Sequence, residues 1–150
     1  LYTGQIGGIE DDQRHFTAEL RSDKAMLEED YVPRTSPTCR AVFCGPGCGL
    51  GAQRFLTERR LAALDIERNR VRIAGLAGAD YVDGALRFLD GPQTGLRFGI
   101  VAVEGEWFSL DRPLAEGTAI GTRTRLHQGC DHIFATCAGR FGNALNFRGE

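Results

Sequence analysis

The sequence predicts a mainly β fold: a small antiparallel barrel or sandwich with one short helix and an irregular C-terminal segment clamped by cysteines. Three observations favour this class. Glycine is abundant, with 20 residues in 150, and many glycines separate short runs of alternating apolar and polar residues, as in strands joined by tight turns. These runs recur about every 8–12 residues, a spacing typical of small barrels and sandwiches. The cysteines lie in two irregular segments at opposite ends of the strand-rich region.

The first elements are predicted to be a strand pair and a helix. "LYTGQIGGI" and "RHFTAEL" read as two strands around the polar turn Glu10–Gln13. "SDKAMLEED", residues 22–30, is predicted to form the short helix, because Ser22 is a suitable N-cap and apolar residues follow it.

An ordered loop and an ambiguous segment come next. "VPRTSPTCRAVFCGPGCGLGA" is rich in Pro, Gly and Cys and has no periodicity, which predicts a loop. In residues 52–75 some apolar side chains could line a helix, whereas "RVRIAG" alternates like a strand. We interpret this segment as a strand pair. The apolar residues that would suit a helix are Leu56, Leu61, Ala63 and Leu64.

The strand signal is plainer from Tyr81 onward. Four short strands are predicted, with reversals at Gly91–Pro92 and Glu104–Gly105–Glu106. Their sequences are "GALRFLDG", "GLRFGIVAV", "EWFSL" and "TAIGTRTRL".

Length and charge limit the function classes. We expect residues 1–150 to form a single β-rich domain, and the first residue, Leu1, suggests a portion of a longer protein. The net charge of −2 provides no basic field for nucleic acid or an anionic membrane. No apolar run approaches the roughly 18 residues of a membrane span. Positive charge is carried by 17 Arg and the single Lys24, out of 18 basic residues; this indicates either anion recognition or a coding bias, and the scatter of the arginines favours the bias.

Five cysteines, Cys39, Cys44, Cys48, Cys130 and Cys137, are the main candidate site. The odd number and the absence of a secretion signal argue against a disulfide framework, although a single bridge stays open. Buried free thiols, structural zinc and an iron–sulfur cluster all stay open. Zinc favours close pairs, which the three-residue gap between Cys44 and Cys48 would fit, whereas a cluster tolerates the wider gaps elsewhere. If the two segments meet, four thiolates come together.

A reactive thiol is the alternative chemistry. His127 and His132 flank Cys130, and a thiol–imidazole pair could form a cysteine nucleophile in a peptidase-like enzyme. No oxyanion-hole loop or third orienting residue accompanies them. The paired carboxylates Asp11–Asp12 and Glu28–Asp30 are interpreted as surface residues.

Several motifs carry a family resemblance. "GCDHIFATCAGRFGNALNFRG" at residues 129–149 resembles the C-terminal signature of tail-tip hub proteins of alphaproteobacterial phages and gene transfer agents. "LYTGQIGGI" with "FTAELRS", "CRAVFCGPGCGL" and the Gly-bounded strands of residues 80–114 are similar to the same family. In role these hubs are similar to tail tip protein L of phage lambda, with its C-terminal iron–sulfur domain.

The resemblance implies a [4Fe–4S] cluster held by Cys39, Cys48, Cys130 and Cys137, with no counterpart for Cys44. It further implies a non-enzymatic virion protein of a phage or gene transfer agent tail, made in the bacterial cytoplasm. The implied assembly is a homotrimeric ring that joins the tube-end or distal tail ring to a central fibre or baseplate protein. Sequence-specific nucleic-acid binding and stable membrane insertion are not expected.

This resemblance also suggests roles for neighbouring residues. Three aromatic side chains would shield the cluster, two amides would satisfy the irregular backbone, and Trp107 would serve either an interface or the core. The aromatic residues are Phe134, Phe141 and Phe147, and the amides are Asn143 and Asn146.

Overall fold

The computed structural model describes residues 4–11, 15–22, 35–76 and 78–149. The chain divides into two units, Leu1–Thr35 and Ser36–Glu150. The helix predicted at residues 22–30 lies outside the described residues except for Ser22. That the chain is a single domain from a longer protein stays a prediction.

The first unit contains an antiparallel hairpin of β1, Gly4–Asp11, and β2, Phe16–Ser22. Ile6 lies opposite Leu20 and Ile9 opposite Ala18, so these apolar residues share one face of the hairpin. The register shifts between Ile6 and Ile9, where the chain carries two consecutive glycines. The predicted strand pair is confirmed.

The second unit is built on one antiparallel sheet of seven strands in the spatial order β3-β9-β6-β7-β8-β5-β4. The predicted strands of residues 84–110 are all present, and in "TAIGTRTRL" only the second half is extended. The strands are β3 Leu56–Arg60, β4 Ala63–Asp65, β5 Arg70–Arg72, β6 Ala85–Phe88, β7 Arg97–Glu104, β8 Trp107–Leu110 and β9 Arg123–His127.

A corner between the two edge strands curls this sheet. β3 and β4 lie at opposite edges yet are separated only by Leu61 and Ala62. The Leu61 N–H donates to Thr122 O at 3.0 Å beside β9, and the Ala62 N–H donates to Arg72 O at 2.8 Å on β5. The chain therefore bridges both ends of the sheet, which forms a half-barrel and confirms the mainly β class.

Alternation along the strands separates the core from the outer surface. On β6 and β9, Leu86 and Leu126 are fully buried, whereas their chain neighbours Arg87 and Arg125 point outward. The core is one continuous cluster on the concave side of the sheet: Leu61, Val71, Ile73, Tyr81, Leu86, Phe88, Phe98, Ile100, Phe108, Leu110, Leu114 and Leu126.

Two predictions need correction. Residues 52–75 contain three strands, β3 to β5, because β3 pairs with the distant β9 while β4 and β5 form the local hairpin. The C-terminal segment, predicted to be irregular, contains the helix α1, Phe134–Gly139. The helix begins after Ile133 without a side-chain cap; the Asp131 carboxylate steadies the preceding turn, since it accepts bonds from the Ile133 N–H at 2.9 Å and the Thr136 hydroxyl at 2.6 Å.

Short 3₁₀ helices complete the unit at Ala52–Phe55, Gly78–Tyr81 and Ala144–Asn146. Trp107 is half-buried under the Arg70 guanidinium, 4.8 Å from the ring centroid. Among the described residues, no helix has the length and apolarity needed to cross a membrane.

Candidate functional site

The cysteines lie on two segments outside the seven-stranded sheet, one before β3 and one after β9. Cys39, Cys44 and Cys48 belong to the irregular segment of residues 36–51, as predicted for a loop, whereas Cys130 follows β9 directly and Cys137 lies in α1. Cys48 and Cys137 are buried and the others half-buried, and all five are free thiols.

A two-way clamp joins the segments at Cys39 and His132. The Cys39 N–H donates to His132 O at 2.8 Å, and His132 Nδ1 lies 2.8 Å from Cys39 O. Because a carbonyl oxygen only accepts, Nδ1 must carry the proton of this ring. His132 has a φ of 60°, a left-handed backbone that non-glycine residues seldom adopt. The contact therefore fixes the start of one cysteine segment against the start of the other.

Asn143 makes a second connection deeper in the site. Its Nδ2 donates to Cys48 O at 2.8 Å, and its backbone N–H donates to Cys137 O at 2.9 Å. The Cys137 thiol lies 3.4 Å from Asn143 O, and Asn146 Nδ2 donates to Asn143 Oδ1 at 2.8 Å. One buried asparagine thus connects Cys48, through its side chain, with Cys137, through its backbone, although the two cysteines lie 89 positions apart in the sequence (137 − 48).

Hydrogen-bond donors also point at sulfur atoms. The Arg148 N–H lies 3.3 Å from Cys39 Sγ, and Asn143 Nδ2 lies 3.6 Å from Cys48 Sγ. Donors of this kind stabilise thiolates and tune thiolate-bound clusters.

The thiols lie close enough to influence one another electrostatically. The pKa of Cys137 is raised first by burial and then by repulsion from Cys39, Cys130 and Cys48, which are the other three predicted ligands. Burial also raises the pKa of Cys130, with smaller contributions that include Cys48 and Cys39. The pKa of Cys44 rises to about 11 through burial, Cys48 and Cys130.

These directions disfavour a nucleophile at neutral pH, since a raised pKa reduces the thiolate fraction. In addition, His132 uses Nδ1 on Cys39 O, and His127 packs on Phe43 with ring centroids 5.3 Å apart. Neither imidazole therefore supports the reactive-thiol interpretation of Cys130.

The four predicted ligands are all thiols, which is the donor type of an iron–sulfur cluster. Within the described ranges, no group of three or more His, Cys, Asp or Glu side chains is placed to hold a metal ion. A cluster is larger than one ion, so its thiolates stand further apart, and its usual ligands are four cysteines. N–H donors lie near two of the four predicted ligand sulfurs, Cys39 Sγ and Cys48 Sγ. The ligand roles of Cys39, Cys48, Cys130 and Cys137 stay a prediction.

An aromatic cluster that was not predicted from the sequence joins both cysteine segments to the end of β9. Phe43 stacks at 5.1 Å from Phe55 and 4.9 Å from Phe141, and it also contacts His127. Phe141, one of the three aromatic residues predicted to shield the cluster, belongs to this aromatic cluster, while the other two, Phe134 and Phe147, pack edge to face at 5.2 Å.

Arg140 ties the C-terminal segment to the half-barrel. Its guanidinium donates to Asp80 O at 2.8 Å and Gln128 Oε1 at 2.9 Å, and it lies 4.7 Å from the Phe141 ring centroid. The sequence carried no local signal for this contact, because its partners lie up to 60 residues away.

Two family models match parts of the chain. One, described as "Phage conserved hypothetical protein BR0599", matches residues 79–150, and the other, described as "Baseplate hub protein, N-terminal attachment domain", matches residues 1–51. No curated protein matches the chain.

One solved structure is similar over nearly the whole chain. It is described as "Virion of native gene transfer agent (GTA) particle", and the similarity has a TM-score of 0.73 and 29% sequence identity. The match covers 99% of this chain and 54% of the other, so this chain spans about half the length of its relative. The chain is thus similar to phage and gene transfer agent virion proteins.

Proposed function

We propose that this chain is a structural component of the tail tip of a phage or gene transfer agent, where it acts as part of the hub or baseplate. The observation that carries the proposal is the similarity, over 99% of the chain, to a protein of a gene transfer agent virion. The match of residues 1–51 to the attachment domain of a baseplate hub supports the same assignment. The chain would link the tail tube to tip or fibre proteins and would itself perform no chemistry.

We further propose that a [4Fe–4S] cluster stabilises the domain, with Cys39, Cys48, Cys130 and Cys137 as ligands. The supporting observations are the contact between the two cysteine segments through His132 and the mutual influence of these four thiols. When bound, the cluster supplies iron–thiolate bonds that cross-link the segments. The surrounding residues orient the thiols and exclude water.

Assembly as a homotrimeric ring, with a tube-end or distal tail ring on one side and a fibre or baseplate protein on the other, follows from the resemblance to tail-tip hubs. The likeness to tail tip protein L of phage lambda rests on the same sequence motifs. The virion match supports a place in the particle, and the tail is the location that we propose.

Metal and acid-labile sulfide analysis of anaerobically purified protein tests the cluster. The wild-type protein should be brown and contain iron and sulfide in nearly equal amounts. Cys39→Ser, Cys48→Ser, Cys130→Ser and Cys137→Ser should each lose most of both. Cys44→Ser is the matched control, since it removes a neighbouring half-buried thiol and should keep the cluster.

Zinc near one equivalent without sulfide would refute the cluster and assign a zinc-stabilised module instead. Loss of iron in Cys44→Ser with retention in Cys39→Ser would reassign one ligand.

Mass spectrometry of purified particles tests the structural role separately. The protein should copurify with tails, and an antibody against an added epitope should label the tip. Its absence from particles would contradict the assignment whatever the metal content.

A further inference from the structure

A row of arginines crosses the outer face of the half-barrel. Arg87 on β6 lies directly opposite Arg125 on β9 and Arg97 on β7. These three residues, here called the arginine row, are all exposed. The next position across the sheet, on β3, is Glu58 opposite Arg125. The scattered arginines of the sequence are thus partly assembled by strand register.

The row concentrates like charge where a sheet disfavours it. Neighbouring strands lie about 4.8 Å apart, and like charges directly opposite each other destabilise the pairing. Glu58 is the one carboxylate in line with the row, and it pairs with Arg125 through contacts of 2.7 and 3.0 Å. Among the described residues, no carboxylate forms an ion pair with Arg87 or Arg97. Two guanidiniums therefore lack a charge partner within that part of the chain.

The side chains are held above a shallow groove. Arg87 Nε donates to Gly95 O at 3.0 Å, which orients its guanidinium. A groove of about 210 Å³ lies between the arginines and is lined by Leu56, Ala85, Arg87, Arg97, Arg125 and His127. Leu56, His127 and Ala85 occupy one register line across β3, β9 and β6, so they form the less charged floor.

The charge of Arg97 acts on the floor of this groove. The pKa of His127 is lowered by burial and then by the Arg97 charge. His127 is therefore neutral at neutral pH, and the arginines alone provide positive charge. The groove thus combines cationic walls with a small apolar base.

We propose that the arginine row docks an acidic segment of a neighbouring protein, whose carboxylates pair with Arg87 and Arg97 while the methylene groups of the same acidic side chains cover Leu56 and Ala85. The planar guanidinium fork matches a carboxylate through two parallel hydrogen bonds. In an extended segment, side chains on one face repeat about every 6.7 Å, so two carboxylates separated by one residue reach both arginines. That the neighbour is a tail protein rests on the proposed function; the carboxylate chemistry does not.

Charge complementarity favours a short acidic segment over nucleic acid. The chain has a net charge of −2, and carboxylates border the row: Glu58 on one side and Asp111 in the adjoining pocket beside Arg97. A continuous phosphate chain would run close to the negative charges of Glu58 and Asp111, which disfavours it. Two carboxylates of a short peptide fit between these residues. The apolar floor also suits a side chain better than a phosphate.

Calorimetry tests the proposal: it measures the binding of a capped peptide of alternating Glu and Ala at low and at moderate salt. Arg97→Gln should weaken binding by about tenfold, as expected for one charge-assisted contact. Arg87→Gln should have a similar effect. Arg72→Gln is the matched control because Arg72 is an exposed arginine on β5, outside the row, and it should bind like the wild type. A peptide of alternating Gln and Ala should not bind.

The stability of the variants provides a second readout. Since Arg97→Gln removes like-charge repulsion, its melting temperature should be unchanged or higher. Failure of the Glu peptide to bind, or equal binding by the Arg97→Gln and Arg72→Gln variants, would overturn the proposal. Equally tight, Arg97-dependent binding of a single-stranded oligonucleotide would replace the acidic partner with nucleic acid. Peptide binding by a protein absent from particles would refute only the proposed function.

Discussion

Asn143 has a greater role than its position in an irregular tail suggested. The residue is buried; its side chain donates to Cys48 O and its backbone N–H donates to Cys137 O. An amide suits the position because it offers a donor and an acceptor on one rigid group. Its Oδ1 accepts from Asn146, so both ends of the amide are used.

Asn143→Ala should lower the free energy of unfolding by about 2 kcal/mol, because the buried Cys48 carbonyl loses its partner. Asn143→Asp keeps the shape but lacks the donor, and it should lose at least as much. Both values are obtained from urea unfolding of anaerobic protein. Leu145→Ala, at a side chain 99% exposed in the same segment, should stay within about 0.5 kcal/mol of wild type. A loss equally small in Asn143→Ala would mean that the contact contributes little to stability.

At the scale of elements, the exit from β9 depends on close backbone packing. A Cβ atom at Gly129 would meet the carbonyl oxygen of Val82 and the amide nitrogen of Gly84. The Gly129 N–H donates to Asp80 O at 3.0 Å. This approach directs the chain from the strand toward Cys130.

Gly129→Ala should therefore destabilise the protein by about 3 kcal/mol or more, since backbone rather than a mobile side chain must yield. Gly51→Ala is the control, because Gly51 has open space around it and a φ of −75° that alanine adopts readily. The control should be neutral or slightly stabilising. Thermal unfolding of both variants measures the difference, and similar melting temperatures would contradict the packing argument.

Asp90 fastens the turn between β6 and β7 to β9. Its carboxylate accepts from the Arg123 backbone N–H at 2.7 Å and from Arg123 Nε at 2.9 Å. These hydrogen bonds, the side-chain bond foremost, lower the pKa of Asp90. A lowered pKa in the folded state means that the stabilisation is complete above the ordinary carboxyl pKa of about 4 and disappears as the pH falls through the lowered value.

Asp90→Asn should accordingly be less stable than the wild type at pH 7, with the difference shrinking below about pH 4. The asparagine side chain still accepts the hydrogen bond from the Arg123 backbone N–H, so the comparison isolates the effect of the carboxylate charge on stability. Urea unfolding across this pH range measures it. Glu116→Gln, at an exposed carboxylate on another turn, should give no such trend. A difference between Asp90→Asn and wild type that is constant with pH would exclude a charge effect.

At the scale of the molecule, the half-barrel and the cysteine site are separable. The continuous core contains no cysteine, whereas the segments of residues 36–51 and 130–149 depend on the His132, Asn143 and Arg140 contacts. Metal binding commonly supplies folding free energy to the segments that it joins.

Removal of the proposed cluster by a chelator should thus loosen the two segments and leave the sheet intact. In hydrogen exchange, amides of residues 36–51 and 130–149 should lose protection, while those of β6, β7 and β9 should keep it. The Cys44→Ser protein, treated in the same way, should respond like the wild type. Loss of protection throughout the sheet would mean that the half-barrel itself requires the metal, and no change anywhere would argue against a stabilising metal.

Strand positions and the grouping of the cysteines could be predicted from the sequence, because alternation and turn residues act over a few neighbouring residues. The same local reasoning missed α1, because this helix has no side-chain cap and is too short to show a periodicity. It also predicted a strand pair in residues 52–75, where three strands are present, since nothing near β3 indicates that its partner is β9.

The sequence by itself therefore determined the first strand pair, the strands from residue 84 onward, the loop of residues 36–51 and which residues bear thiols. Only the tertiary structure decided that Cys39 meets His132, that Asn143 bridges Cys48 and Cys137, and that Arg87, Arg97 and Arg125 form one row. The physical reason is register: contacts between segments tens of residues apart depend on how strands align and how the sheet curls, and that alignment minimises the free energy of the whole core rather than of any short stretch.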